Sequence, residues 1–286
     1  MRFNGRIHEY GSTDKLTMIA LTSDKDRALT KNFVEMVLSL SPDIRLILVE
    51  DSGKDFSFAK SWNVGITRFL EKPTEYLMFA HDDAKINEDS FLRLFSCIES
   101  NKGLDGVVPI VKEPGRENLS AFERMIPGES YLYIRIGSVI PISIFPLIEP
   151  FRNFVRIKLF PPRAHEENSS ASETISEGDI IRLFPLVLLR RDMIVSVGLF
   201  DESFFFGEDL DFTFRLYLAN AKIGVVRSSV VEHIGSYSIG KRETKRPREK
   251  YAHLKKELVA YNKVYKKFRK RLHEVRLSAR NNTILI

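Results

Sequence analysis

Two adjacent carboxylates, Asp82 and Asp83, directly follow the apolar run 76–80, which has the length and composition of a buried strand. Hard divalent cations prefer oxygen ligands of this kind, and a diphosphate group needs its negative charge offset before it can leave. A structural role is also compatible with the pair, because aspartate is favoured in turns and at helix starts. The pair alone leaves a cation site and a structural turn both open.

A second group of acids lies in FFFGEDLDFTFRL, where Glu208, Asp209 and Asp211 cluster at the start of a predicted helix over residues 209–220. The helix dipole and an i,i+4 pair with Arg215 account for Asp211, and one further acid can cap the helix. These roles do not explain both Glu208 and Asp209. A carboxylate beside an attacking hydroxyl can take its proton, so Asp209 is the candidate general base and Glu208 the second catalytic candidate.

His233 directly follows the predicted strand 223–231, in the segment VVEHIGSYS. A single histidine is more often a surface residue or a satisfied core residue than a ligand. At a strand end near two acids, however, its imidazole could bind a metal ion.

Two polar residues follow the second predicted strand, in VEDSGKDFSFAKSWNVGI. Asp51 closes the strand and can accept hydrogen bonds from a ribose or a base, although with Gly53 it also suits a turn. Asn63 can face a diphosphate, whereas Gly65 beside it also suits close helix packing. Neither segment matches a dinucleotide-binding fingerprint or a phosphate-binding P-loop.

The elements that must position these residues alternate in a βαβαβ order, which favours a mostly parallel sheet flanked by helices. The predicted elements are strand 16–21, helix 26–40, strand 44–49, helix 57–70 and strand 76–80. In such sheets the ligand crevice lies beyond the carboxyl ends of the strands. Thr22, Asp51 and the Asp82-Asp83 pair are therefore expected to converge there.

The segment VGLFDESFFFGEDLDFTFRL resembles the family-two glycosyltransferases, in which a Phe-Asp-Glu turn leads to an aromatic run and then to a helix that begins with Glu-Asp. The other motifs follow in the order expected of that family, from Thr22 through Asp51, Asn63 and Asp83 to His233. The resemblance covers about residues 14–240 and implies a Rossmann-like α/β fold of GT-A type.

The resemblance further implies a nucleotide-diphosphate sugar donor, Mg²⁺ or Mn²⁺, and an inverting displacement by an acceptor hydroxyl. In it, Asp83 and His233 hold the metal ion, Asp51 contacts the nucleoside and Asp209 is the base. Thr22, Asn63 and Asp82 complete the predicted donor site. The family's metal motif is commonly Asp-x-Asp, and His81 stands at its first position here. This departure bears on the strength of metal binding and on the choice of donor.

Two other functions remain open. A nucleotidyltransferase would also use paired acids and a divalent ion, but no phosphate-binding loop rich in Gly, Arg and Lys lies near the first predicted strand. A non-catalytic binding protein on the same fold could grip nucleic acid or a partner with a basic tail. Asp83, Asp209 and His233 argue against that alternative, because binding alone requires no base.

Charge divides the chain into an acidic body and a basic tail. Residues 241–286 contain 16 Lys and Arg against 4 Asp and Glu, whereas the whole chain has a net charge of +6.

Cys97 is the single cysteine of the 286 residues and excludes an intramolecular disulfide. No signal peptide or uncharged run long enough to span a membrane is recognisable, so a cytoplasmic location is expected.

The predicted organisation is one GT-A domain over residues 1–240 and a tail over 241–286. Residues 113–180 are a predicted insertion, either mobile or on the acceptor side, in which 136–148 forms a strand pair or an interfacial lip. Apolar residues at helical spacing predict a basic amphipathic helix over 251–275. This helix either packs on the domain or contacts an anionic membrane at its cytoplasmic face. Nucleic acid is not expected as a partner, and glycan, lipid-linked and other hydroxyl acceptors remain open.

Overall fold

The computed structural model describes residues 5–52, 56–112, 135, 138–144, 180–181, 183–234 and 247–286. Nine strands are present in these ranges: β1 (Arg6–Tyr10), β2 (Leu16–Thr22), β3 (Ile44–Glu50), β4 (Tyr76–His81), β5 (Ala84–Ile86), β6 (Gly106–Lys112), β7 (Leu186–Arg190), β8 (Ile223–His233) and β9 (Thr283–Leu285). The same ranges contain seven α-helices: α1 (Ala28–Leu40), α2 (Phe58–Glu71), α3 (Glu88–Ser100), α4 (Arg191–Val197), α5 (Glu208–Leu218), α6 (Pro247–Phe268) and α7 (Leu272–Asn282).

The strands form one sheet in the order β1-β3-β2-β4-β7-β6-β8-β5, and β9 also pairs with β8. Strands β3, β2 and β4 are parallel, as are β6 and β8, whereas β7 runs antiparallel to both β4 and β6. The predicted α/β class is confirmed, and the predicted βαβαβ start forms three parallel strands of the sheet. The antiparallel strands β1, β5 and β7 make the complete sheet mixed.

Helices cover both faces of the sheet. Strand β2 is therefore buried along its whole length, and its side chains alternate between two apolar layers. Ile19 and Leu21 pack with the α2 side, while Met18 and Ala20 pack with the side of α1 and α3. Close packing explains Gly65, since a Cβ atom added there would lie 2.5 Å from Ile19 Cγ2. This contact supports the packing role of Gly65 that its sequence context left open.

The basic tail differs from its predicted form. Two helices, α6 and α7, replace the single helix expected over 251–275, and the short turn between them includes a hydrogen bond from Arg271 N to Phe268 O. The turn lets both helices bury apolar residues against α5, including Val264, Phe268 and Val275. Strand β9 then joins the main sheet beside β8.

Most of the predicted insertion lies outside the described residues, and so do residues 136–137 and 145–148 of the segment predicted as a strand pair or lip. Its described part includes a 3₁₀ turn at Ile142–Ile144. Lys255 Nζ of α6 donates to Ile140 O at 3.0 Å, so this part contacts the tail. Among the helices that the structure describes, none combines the length and apolar character needed to cross a membrane.

Candidate functional site

His81, Asp83 and His233 form a cluster at the carboxyl edge of the sheet. His81 is the last residue of β4, and Asp83 lies in the short link between β4 and β5. Strand β5 pairs antiparallel with the end of β8, which places Ala84 opposite His233. One donor atom from each of the three residues lies within 4.8 Å of the others.

The geometry of this cluster fits a metal ion. His233 Nε2 lies 3.3 Å from Asp83 Oδ1, and His81 Nδ1 lies 4.0 Å from the same oxygen. Ligand atoms at about 2.1 Å from one ion are roughly 3 to 4 Å apart, so only small shifts would be needed. The donor set of one carboxylate and two imidazoles suits Mn²⁺, Fe²⁺ or Zn²⁺ better than Mg²⁺, which prefers oxygen ligands.

Electrostatics keep the buried carboxyl of Asp83 ionised. Burial by itself would raise the pKa of Asp83, but the hydrogen bond with His233 and the nearby imidazoles outweigh it. The resulting pKa of Asp83 lies below its ordinary value. An anionic oxygen is therefore present for a cation.

The structure gives the adjacent residues Asp82 and Asp83 different partners. Asp82 is buried and accepts hydrogen bonds from Arg27 Nη2 at 2.6 Å and from Thr30 Oγ1 at 2.9 Å. Thr22 belongs to the same network, since its hydroxyl oxygen lies 2.9 Å from that of Thr30. Two of the residues predicted for donor binding thus order the loop into α1, and the partly exposed guanidinium of Arg27 joins them at this edge. The sequence offered one signal for Arg27, its position between a strand end and a helix.

Asp51 lies at the same edge, directly after β3, which is the strand beside β2. Its backbone N donates to Thr22 O at 2.9 Å, and its Oδ2 accepts from Ser61 Oγ at 2.6 Å. The residue is 7% exposed. The carboxylate is thereby held in one orientation at the end of β3.

Asn63 holds a distant loop. Its Oδ1 accepts from Phe200 N at 2.7 Å, and its Nδ2 donates to Phe200 O at 3.0 Å and to Glu202 Oε1 at 3.0 Å. Both ends of the amide are therefore engaged by the Phe-Asp-Glu loop. This geometry supports a positioning role for Asn63, and the diphosphate contact expected of it stays a prediction.

Aromatic rings connect the histidine cluster to α5. Trp62 contacts His81 with ring centroids 6.2 Å apart, and it also contacts Phe200 at 6.2 Å. Phe200 in turn stacks on Phe212 of α5 at 4.4 Å. Sequence reasoning missed Trp62, whose only signal was that it is the single tryptophan of the chain.

The acids of the second motif form the first turn of α5. Glu208 is buried, Asp209 is partly buried, and Asp209 Oδ1 accepts from Leu210 N at 2.8 Å. The Asp211–Arg215 pair expected from sequence is present at 2.9 Å. Because α5 leads through a short loop into the start of β8, its own first turn lies toward the carboxyl edge that carries His233.

No family model matches the chain, and no curated protein matches it either. Similar solved structures include TarS of S. aureus, a GT-A glycosyltransferase, at 15% identity and a TM-score of 0.45, over 78% of this chain and 37% of that chain. TarS 1–349 in complex with UDP-GlcNAc is similar at 16% identity and a TM-score of 0.43, over 76% of this chain and 58% of that chain. GalNAc-T7 with UDP, GalNAc and Mn²⁺ is similar at 10% identity and a TM-score of 0.43, over 82% of this chain and 46% of that chain.

The chain spans little more than a third of the TarS chain and less than half of the GalNAc-T7 chain. At these identities and TM-scores, the likeness does not by itself assign a family or an activity.

Proposed function

We propose that the chain is a metal-assisted glycosyltransferase that moves a sugar from a nucleotide-diphosphate sugar to an acceptor hydroxyl. The observation that carries the proposal is the cluster of His81, Asp83 and His233 at the same sheet edge as Asp51. Nucleotide ligands of α/β proteins bind at this edge. The acids Glu208 and Asp209 begin a helix whose first turn lies toward it.

In the proposed mechanism, Asp51 accepts hydrogen bonds from the nucleoside, and His81, Asp83 and His233 would hold a divalent ion. Such an ion, when bound, would supply positive charge to offset the charge developing on the leaving diphosphate. Thr22, Asp82 and Arg27 order the loop on the donor side. None of these steps requires a covalent bond to the protein.

Asp209 takes the proton of the acceptor hydroxyl while that oxygen bonds to the anomeric carbon. The bond from the anomeric carbon to the diphosphate oxygen breaks, and its electron pair leaves with the diphosphate. Attack from the face opposite the leaving group inverts the anomeric centre. Glu208, buried beside Asp209, is the second acid proposed to act in this step. The acceptor is a glycan, a lipid-linked glycan or another hydroxyl compound.

The donor site is tested by calorimetry with UDP-, GDP-, dTDP- and CMP-linked sugars and with nucleoside diphosphates, each with Mn²⁺, Mg²⁺ or a chelator. We expect wild-type protein to bind one nucleotide class in a metal-dependent manner and Asp83→Ala to lose that binding. Asp89→Ala is the matched control, because Asp89 is exposed on α3 and pairs only with Arg93 among its described contacts. A folded wild-type protein that binds no nucleotide would instead point to a non-catalytic interaction protein.

A further inference from the structure

Helix α6 packs directly against the turn that begins α5. Gly207 precedes α5 with a positive φ of 81°, and a Cβ atom added there would lie 3.2 Å from Val264 Cγ2. The next nearest atoms, Ala260 Cβ and Tyr261 Cδ1, would both lie at 3.9 Å and also belong to α6. The turn leading to Glu208 and Asp209 is therefore bounded by the basic tail.

Lys267, near the end of α6, joins two acids on either side of this turn. Its Nζ lies 2.8 Å from Asp201 Oδ2 and 2.6 Å from Asp211 Oδ1. The side chain of Asp211 is 0% exposed, and its other oxygen accepts from Arg215 Nε at 2.9 Å. Both oxygens of a fully buried carboxylate are thus engaged by cations, one of which comes from the tail.

A second lysine of α6 contacts the same segment. Lys263 Nζ donates to Ser203 O and lies 4.7 Å above the ring of Phe204, while Lys267 Nζ lies 5.3 Å from that ring. Phe204 is itself buried in the apolar cluster of α5, α6 and α7. The tail therefore holds the segment from Asp201 to Asp211 by its backbone, by a ring and by both flanking carboxylates.

The positive charge of Lys267 lies between the carboxylates of Asp201 and Asp211. Burial alone would raise the pKa of Asp201, but the hydrogen bond with Lys267 holds that pKa well below its usual range. Burial would lower the pKa of Lys267, yet its bonds with Asp201 and Asp211 raise it above its ordinary value. Asp201 and Lys267 therefore remain charged at neutral pH, so the bridge between them persists under the conditions of an assay.

We propose that Lys267 is a positioning residue, which fixes the first turn of α5 and thereby aims Asp209 at the acceptor oxygen. The inference rests on the proposed role of Asp209 as the base. Lys267 bridges Asp201 and Asp211 on either side of the first turn of α5, so we expect its loss to act on the acceptor side. A misplacement of about 1 Å at a reacting group can cost roughly 100-fold in rate.

The test compares Lys267→Met with the matched control Lys266→Met, since Lys266 is the exposed neighbour on the same helix. The probe is the nucleotide sugar bound in the calorimetric panel, with water as acceptor and release of the nucleoside diphosphate as the signal. We expect Lys267→Met to lower kcat by about 10- to 100-fold while the KM and Kd of the donor stay within about twofold. Lys266→Met should match wild type, and Lys267→Arg should recover most of the lost kcat.

Hydrogen exchange of the backbone supplies a readout independent of turnover. In Lys267→Met, amides of residues 201–210 should exchange faster, while those of β2 and β4 should be unchanged. If Lys267→Met does not fold, Asp201→Asn provides the second variant, because it removes one partner of the bridge and leaves the buried Asp211 paired. Asp201→Asn should then show the same faster exchange and a smaller loss of kcat.

The outcomes separate this inference from the proposed function. Wild-type kcat and exchange in Lys267→Met, with turnover abolished in Asp209→Asn, would overturn the positioning role alone. A lower kcat accompanied by an equally weakened donor Kd would also overturn it, because the effect would then be a general one. No turnover of any donor by folded wild-type protein would overturn the proposed function itself.

Discussion

At the residue scale, the cluster of His81, Asp83 and His233 explains the departure from the Asp-x-Asp pattern. The histidine at the first position of the motif lies beside Asp83, and a second histidine arrives from the end of β8. In the proposed metal site, the nitrogen donor of His81 stands where the pattern has a carboxylate oxygen. The choice of metal ion should therefore differ from that of an oxygen-rich site.

Replacing His81 with aspartate should restore the oxygen-rich motif and shift metal preference. We expect His81→Asp to lower the ratio of Mn²⁺ to Mg²⁺ affinity by about tenfold, because Mg²⁺ binds carboxylate oxygen in preference to imidazole nitrogen. Calorimetry with each metal and electron paramagnetic resonance of bound Mn²⁺ measure the two affinities. His273→Asp is the control, since His273 is exposed on α7. An unchanged ratio in His81→Asp would exclude His81 as a ligand.

Asp209 carries the proposed chemistry of the acceptor side. Asp209→Asn should lower kcat by about 10²- to 10⁴-fold, the usual contribution of a general base, while the Kd of the donor stays unchanged. Release of the nucleoside diphosphate under saturating donor is the measurement. Asp192→Asn is a matched control, because Asp192 also lies in the first turn of a helix but is exposed. Equal activity of the two variants would remove Asp209 from the mechanism.

At the element scale, α2 supports the site by holding the loop that precedes α5. Asn63 bonds to the backbone of Phe200 from one side, and Gly65 lets α2 approach β2. Neither residue needs to contact a ligand for this role. The sequence suggested chemistry for Asn63, whereas its partner in the fold is a loop 137 residues away.

Removing the Asn63 amide should destabilise the protein. Asn63→Ala leaves the buried N–H and C=O of Phe200 without these partners, so we expect the free energy of unfolding to fall by about 2 to 4 kcal/mol. Urea denaturation followed by circular dichroism measures the change. Asn32→Ala, at an exposed position of α1, should change it by less than about 0.5 kcal/mol. Similar values for the two variants would contradict the holding role.

At the scale of the whole molecule, the basic tail is part of the folded body. One side of α6 and α7 is buried against α5, and β9 extends the sheet. Away from these contacts the two helices expose basic residues at Lys266, Arg269, Lys270, Arg271, Arg276 and Arg280. Packing on the domain and contact with an anionic surface are therefore compatible, because they use different sides of the helices.

Contact with an anionic membrane should depend on the exposed side of the tail. Neutralising Lys266, Arg269 and Lys270 to glutamine should weaken pelleting with phosphatidylserine vesicles at low salt, by about 1 kcal/mol for each charge that lies at the surface. A control with Lys31, Arg93 and Lys102 changed to glutamine removes the same charge from exposed positions of the body. Equal pelleting of the two triple variants would eliminate the membrane contact.

Local patterns in the sequence determined the β2-α1-β3-α2-β4 order, the strand-end positions of Asp51 and Asp83, and the acidic start of α5. These features depend on hydrophobic period and on residue types within a few positions of one another. Only the tertiary structure decided that His81 joins Asp83 and His233, that Asn63 binds Phe200, and that the tail ends as a strand beside β8. His81 and His233, Asn63 and Phe200, and β8 and β9 are far apart in the chain. Strand pairing and packing bring them together, and the local hydrophobic period does not encode either.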